Sequence, residues 1–158
     1  MYTINRFSKN NYLLWDSFVK NANNGTIFHL RKFLSYHKKS RFIDHSLEFL
    51  KNNALFSVFP AAEKIFNKKR LLVSHPGASI GSFVISDSLS INDSFGLVKT
   101  LVKYAKTNNF DGIKVTLPPI FYFNRVSNYI DYSLLKQGFE YLSREVTSTL
   151  ILESDKPL

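Results

Sequence analysis

An imidazole, three hydroxyls and two glycines fall within nine residues of this chain: Ser74, His75, Pro76, Gly77, Ala78, Ser79, Ile80, Gly81 and Ser82. Imidazole titrates near neutrality, so His75 is a candidate general base. Glycine lets the backbone approach a ligand, and Gly77 and Gly81 can offer N–H groups to a developing oxyanion. Ser74 adds a donor and acceptor. Two apolar runs flank the segment, Leu71-Leu72-Val73 and Phe83-Val84-Ile85, and both read as short buried strands. The same pattern also fits a plain connection between two strands.

Other side chains could complete such a site. His29 and Arg31 flank a helix start, where anions are well placed. Arg31, Arg41 and Tyr36 can hold an anionic ligand, and Tyr122 can stack on a ligand or donate a proton. Each has a simpler reading: Tyr36 and Tyr122 as core or rim packing, Arg41 as a surface charge, Asp44 as a turn cap. His29, His37 and His45 are eight residues apart, which matches no compact zinc motif, and there is no cysteine, so no metal is expected. There is no G-x-S-x-G elbow, no Walker loop and no Rossmann fingerprint.

These residues need elements to position them. Apolar spacing predicts a helix over 11–23, with Leu14, Trp15, Phe18, Val19 and Ala22 on one face. Trp15 reads as its core anchor. Asn23-Asn24-Gly25 breaks it. Residues 26–29 read as extended and 30–39 as a second helix. Strands follow over 46–51 and 54–59, joined by an Asn52-Asn53 turn. Residues 63–66 continue past Pro60, and 67–69 turn into the 71–73 strand. Asn92 or Asp93 caps a helix running to about 108. Residues 112–117 form a strand, 129–137 a helix ended by Gly138, and 139–152 a long strand or bent pair. The order predicts one α/β (α+β) layered domain over 1–158, a mixed sheet flanked by helices.

The chain has 158 residues, no cysteine and a net charge of +9. It is long enough for a real core. No apolar run is long enough for a membrane span, and the N-terminus lacks a signal-peptide core. A cytoplasmic protein is expected. The basic balance favours anionic partners. Lys and Arg are scattered and no nucleic-acid motif is present, which disfavours nucleic acid.

Asn24-Gly25-Thr26 with Phe28-His29, Phe42 with Asp44, Ser46-Leu47, and Ser74-His75 with Gly77 and Gly81 carry a resemblance. From Trp15 to Leu152 the chain resembles the N-terminal half of FemAB-like, GNAT-fold N-acyltransferases of bacteria. The resemblance implies a mostly antiparallel GNAT-like sheet and acyl-CoA, such as acetyl-CoA, as donor. It implies an amino sugar or a cell-surface polysaccharide or cell-wall precursor as acceptor, bound as an anionic nucleotide-sugar. Such proteins carry two GNAT-like domains in tandem, so a second domain, a partner chain or a homodimer is expected. In this fold a glycine-rich turn before a helix binds the coenzyme A phosphates; here residues 87–93 hold no glycine and two acids. A non-catalytic GNAT-like binding module is the alternative.

Overall fold

The computed structural model describes residues 2–38, 41–146 and 148. Strand β1 (Tyr2–Arg6) leads into helix α1 (Tyr12–Lys20) and the short helix α2 (Arg31–Leu34). Then come β2 (Ile43–Asp44), β3 (Leu47–Lys51), β4 (Ala54–Phe59), β5 (Ala61–Phe66) and β6 (Lys69–Ser74). Helix α3 (Ile91–Thr107), β7 (Gly112–Lys114) and α4 (Tyr129–Lys136) complete the order. One sheet has the order β1-β3-β4 and the other β2-β5-β6-β7. Among the described residues all pairings are antiparallel except β6 with β7. This is the mixed, mostly antiparallel sheet flanked by helices that the sequence predicts.

The two sheets share one hairpin, whose arms β2–β3 and β4–β5 each run from one sheet into the other. Pro60 lacks an N–H and separates β4 from β5; His45 and Ser46 separate β2 from β3 on the neighbouring strand. The β3–β4 turn has Asn52 and Asn53 at positive φ (53° and 63°), as a type I′ hairpin requires. The main core joins Leu47, Phe49, Phe59, Leu72 and Phe83 to Leu97, Leu101 and Leu134 of α3 and α4. On the other face Trp15 and Val19 of α1, with Ala22 just after it, pack on Val58 and Val84. Trp15 is fully buried, and its indole N–H donates to the His29 carbonyl at 2.8 Å. That N–H bond explains how so large a polar-tipped ring is buried at little cost.

Several elements differ from expectation. β1 was not signalled, because its pairing partner β3 lies over forty residues on. Residues Ile27–His29 form a 3-10 turn rather than an extended run, since Thr26 and His29 make a reciprocal capping box. The second helix stops at Leu34. Ser90, not Asn92 or Asp93, caps α3; Asp93 reaches back as its third residue. Residues 63–66 belong to β5, which crosses into the second sheet. Residues 83–85 are buried but pair only through a Val58–Val84 bridge. Residues 139–146 form no strand, and the rest of the expected 139–152 strand lies outside the described residues, except Ser148.

Candidate functional site

The central strand is interrupted by the segment carrying His75. β5 and β6 pair in register to Ala61↔Ser74, and the His75 N–H still donates to the Pro60 carbonyl at 3.1 Å. The next pairing on that strand is Val58↔Val84. The register has slipped by seven residues, so 76–82 leave the ladder as a looped excursion. Its return puts Ser82 at φ 76°, a costly conformation for a residue with a side chain.

The excursion lies between the carboxyl ends of the parallel strands β6 and β7. Open sheets offer a ligand crevice at such a place. Here the chain is bonded across it. The Gly81 N–H donates to the Thr116 carbonyl at 2.9 Å, and the Thr116 N–H donates to Ser74 Oγ at 2.8 Å. A Cβ on Gly81 would stand 2.8 Å from Ser74 Cβ, so only glycine fits. Gly81 and Ser74, both expected to face a ligand, are committed to this contact.

His75 sits at the other end of the excursion. It is 4% exposed, and its Nδ1 accepts the Gly77 N–H at 3.3 Å. A neutral ring in that geometry carries its hydrogen on Nε2. His37 lies parallel to it with centroids 6.4 Å apart, and Phe42 sets its edge against both rings. The His37 Nε2–H donates to the Gly77 carbonyl at 2.9 Å, while Arg41 Nη1 donates to His37 Nδ1 at 3.3 Å. A Cβ at Gly77 would meet the His37 ring at 2.2 Å. Beside this cluster, Arg31 pairs with Asp44, donates to Ser46 Oγ at 2.9 Å and lies over the Phe7 ring. Burial would raise the Asp44 carboxyl, but Arg31 and Ser46 hold it below the usual range.

Structure thus brings His75, Gly77, Arg31 and Arg41 to one mouth, together with His37, Phe42 and Asp44. Tyr36 stands at its rim, 81% exposed, edge-on to His37. Sequence reasoning had no site role for His37, because its partner Gly77 is forty residues away. His29 lies elsewhere: it is fully buried, with Nδ1 taking the Thr26 N–H and Nε2 facing the Gly81 carbonyl at 3.1 Å. Tyr122 is distant too, on an exposed 3-10 turn (Ile120–Tyr122) tilted against Phe121. His45 joins Glu63 and Tyr104, both at 2.8 Å, in a polar network behind β5. A groove of about 1140 Å³ runs along β7 and α4, and none of the predicted site residues lines it. No group of three His, Cys, Asp or Glu among the described residues is placed to hold a metal.

The N-terminus of α3 is occupied by its own acid. Asp93 accepts from the Ser90 N–H and hydroxyl, from Tyr2, and from Lys51 Nζ at 2.6 Å. Burial opposes its ionisation, but these bonds from Lys51, Tyr2 and Ser90 hold the carboxyl well below the usual range.

Burial pulls His75 down to about 4; Asp44 opposes this, while Arg31 and His37 add to it. Burial lowers His29 and His45 as well. The unfolded chain therefore takes up protons near pH 6.5 that the native state refuses. Stability falls as pH drops from about 6.5 towards 4, and keeps falling below that as the Asp44 and Asp93 carboxylates, held below their usual range, take up protons. A loss of about 2 kcal/mol across that window is expected, read from urea midpoints at pH 7.5 and 4.5. A His75→Phe variant has a smaller loss.

No family model matches the chain, and no curated protein matches it by sequence. Solved structures do. An aminoglycoside acetyltransferase from an uncultured soil metagenomic sample superposes with a TM-score of 0.57 at 11% identity, over 98% of this chain and 99% of its own. A ribosomal-protein-alanine N-acetyltransferase from Brucella melitensis gives 0.56 at 12% identity, over 96% and 99%. A predicted acetyltransferase from Clostridium acetobutylicum, solved with acetyl-CoA, gives 0.55 at 14% identity, over 94% and 96%. The chain therefore has a GNAT-like acetyltransferase fold. No helix among the described residues is long and apolar enough to cross a membrane.

Proposed function

We propose that this chain is the acceptor-binding unit of an N-acyl-transfer system on the GNAT fold. The observation that carries this reading is the mouth where His75 and Gly77 meet His37, Arg41 and the Arg31–Asp44 pair. Arg41 is exposed and supplies the charge for a phosphate. Asp44 keeps a half-exposed carboxylate for the acceptor's amine or hydroxyls. A nucleotide-linked amino sugar, as a cell-surface polysaccharide or cell-wall precursor, has both features. With its hydrogen on Nε2, His75 donates to the acceptor. The base role that the sequence suggests requires that hydrogen on Nδ1, where the Gly77 N–H points.

Coenzyme A is the donor implied by the fold, and the residues present do not fit its phosphates. The turn before α3 has no glycine, its N–H groups at Ser90 and Asp93 are taken, and the Asp93 carboxylate sits there ionised. Gly81 and Ser74 are bonded to Thr116 across the gap between β6 and β7. On this reading the donor side comes from a second GNAT-like domain, a partner chain or a second copy. The same bonded gap favours, as a second reading, a binding module without catalysis.

Calorimetry tests the proposal. A uridine-diphosphate amino sugar is expected to bind at about 10–100 μM, and Arg41→Ala to weaken it about tenfold. Coenzyme A gives no heat at 1 mM, on the order of the weakest ordinary substrate binding. Coenzyme A binding as tight as the sugar, or acetyl transfer by this chain alone, overturns the proposal.

A further inference from the structure

The β5–β6 hairpin reaches past both of its neighbours. β2 pairs with β5 only at Ala62 and Glu63, and β7 pairs with β6 only from Leu71 to Val73. Among the described residues the tip stands free of the rest of the sheet, and residues 64–69 are all exposed. Asn67 and Lys68 at positive φ (49° and 63°) close it as a tight turn. Ile65 is 68% exposed and Phe66 58% exposed, although a hairpin tip has no need of large apolar side chains. Phe66 shares a face with Lys64 and its cross-strand partner Lys69, Ile65 lies on the other face opposite Arg70, and Lys68 is in the turn. The nearest acids face away from the lysines: Glu63 accepts from Arg70 Nε at 2.9 Å, and Asp111 accepts the Arg70 N–H at 2.7 Å. None of the three lysines has an acidic partner among the described residues.

We propose that this tip docks on an anionic lipid surface. Ile65 and Phe66 enter the boundary between headgroups and acyl chains, and the three lysines lie against the lipid phosphates. Exposed apolar side chains at a lysine-rich tip, entering end-on, are what such a surface binds. Single-stranded nucleic acid is held in basic grooves by stacked aromatic platforms; this tip is convex and offers one ring beside an aliphatic chain. Three like charges on each tip also oppose pairing with a second copy.

A Phe66→Trp variant reports the event, because Trp15 is the only other tryptophan and is fully buried. With vesicles of phosphatidylglycerol and phosphatidylcholine, its emission is expected to shift to the blue and the protein to co-sediment. Pure phosphatidylcholine vesicles bind at least about tenfold more weakly, and salt weakens binding to the mixed ones. K64E/K68E/K69E and, separately, I65S/F66S each lose about tenfold in partitioning, with thermal unfolding little changed because these side chains lie outside both core clusters. Absence of co-sedimentation at low salt overturns the proposal, as does partitioning that I65S/F66S leaves intact. Tighter binding to a single-stranded oligonucleotide, kept by I65S/F66S and lost by the lysine variant, assigns the tip to nucleic acid and also overturns it.

Discussion

A Gly25→Ala variant is expected to lose at least about 3 kcal/mol of stability, measured as a drop in the urea midpoint at unchanged slope. The cause is a close approach. A Cβ on Gly25 would lie 1.8 Å from the Val19 carbonyl oxygen and 2.9 Å from its carbon. Both are backbone atoms in the last turn of α1, and that oxygen also accepts the Ala22 N–H at 3.3 Å. They cannot swing aside as a side-chain tip would. Gly138 provides the control. It holds φ +85° with open space around its Cβ position, so Gly138→Ala meets only the left-handed backbone penalty, about 1 kcal/mol.

Asn24→Ala should cost about as much, roughly 3 kcal/mol, through a different route. Asn24 is buried, and its side-chain amide mimics a neighbouring strand. Its Nδ2 donates to the Phe83 carbonyl at 2.9 Å, and its Oδ1 accepts the Ile85 N–H at 2.9 Å. Alanine leaves a buried acceptor and a buried donor unpaired where water is excluded, each costing about 1–3 kcal/mol. Asn24→Asp restores the acceptor but brings a charge against the Phe83 carbonyl, so it should rescue only part of the loss. Thermal melts of the three proteins, compared at one pH, check the order: wild type, then aspartate, then alanine.

These two residues illustrate what the sequence could tell. Asn24-Gly25 was legible as a helix breaker, because both residues favour turns. That the asparagine would serve as a strand partner sixty residues away was not, since nothing local encodes it. The same division runs through the molecule. The α1 stripe, apart from Leu14, which is 54% exposed, the α3 periodicity and the Asn52-Asn53 turn follow from short-range spacing and were legible. β1 and the bridge at Val84 depend on distant partners. At the mouth, imidazole, glycines and arginines were found by residue type, but which of them converge was set by the excursion. His37 was missed and comes to the mouth; Tyr122 and His29 were named and lie elsewhere. His75 stood out as a titrating group, yet burial, which sequence does not report, moves it to about 4.

The interrupted central strand has a consequence for how the chain folds as it is made. Every pairing of the first sheet, β1 to β3 to β4 to Val84, is complete once residue 84 has emerged. The second sheet waits for β7, which follows α3. N-terminal segments of a nascent chain can fold first. A half-made molecule then presents Phe49, Phe59 and Phe83 on a sheet whose covering helix is still unsynthesised. During synthesis, that uncovered aromatic face is the surface most open to aggregation and most in need of a chaperone.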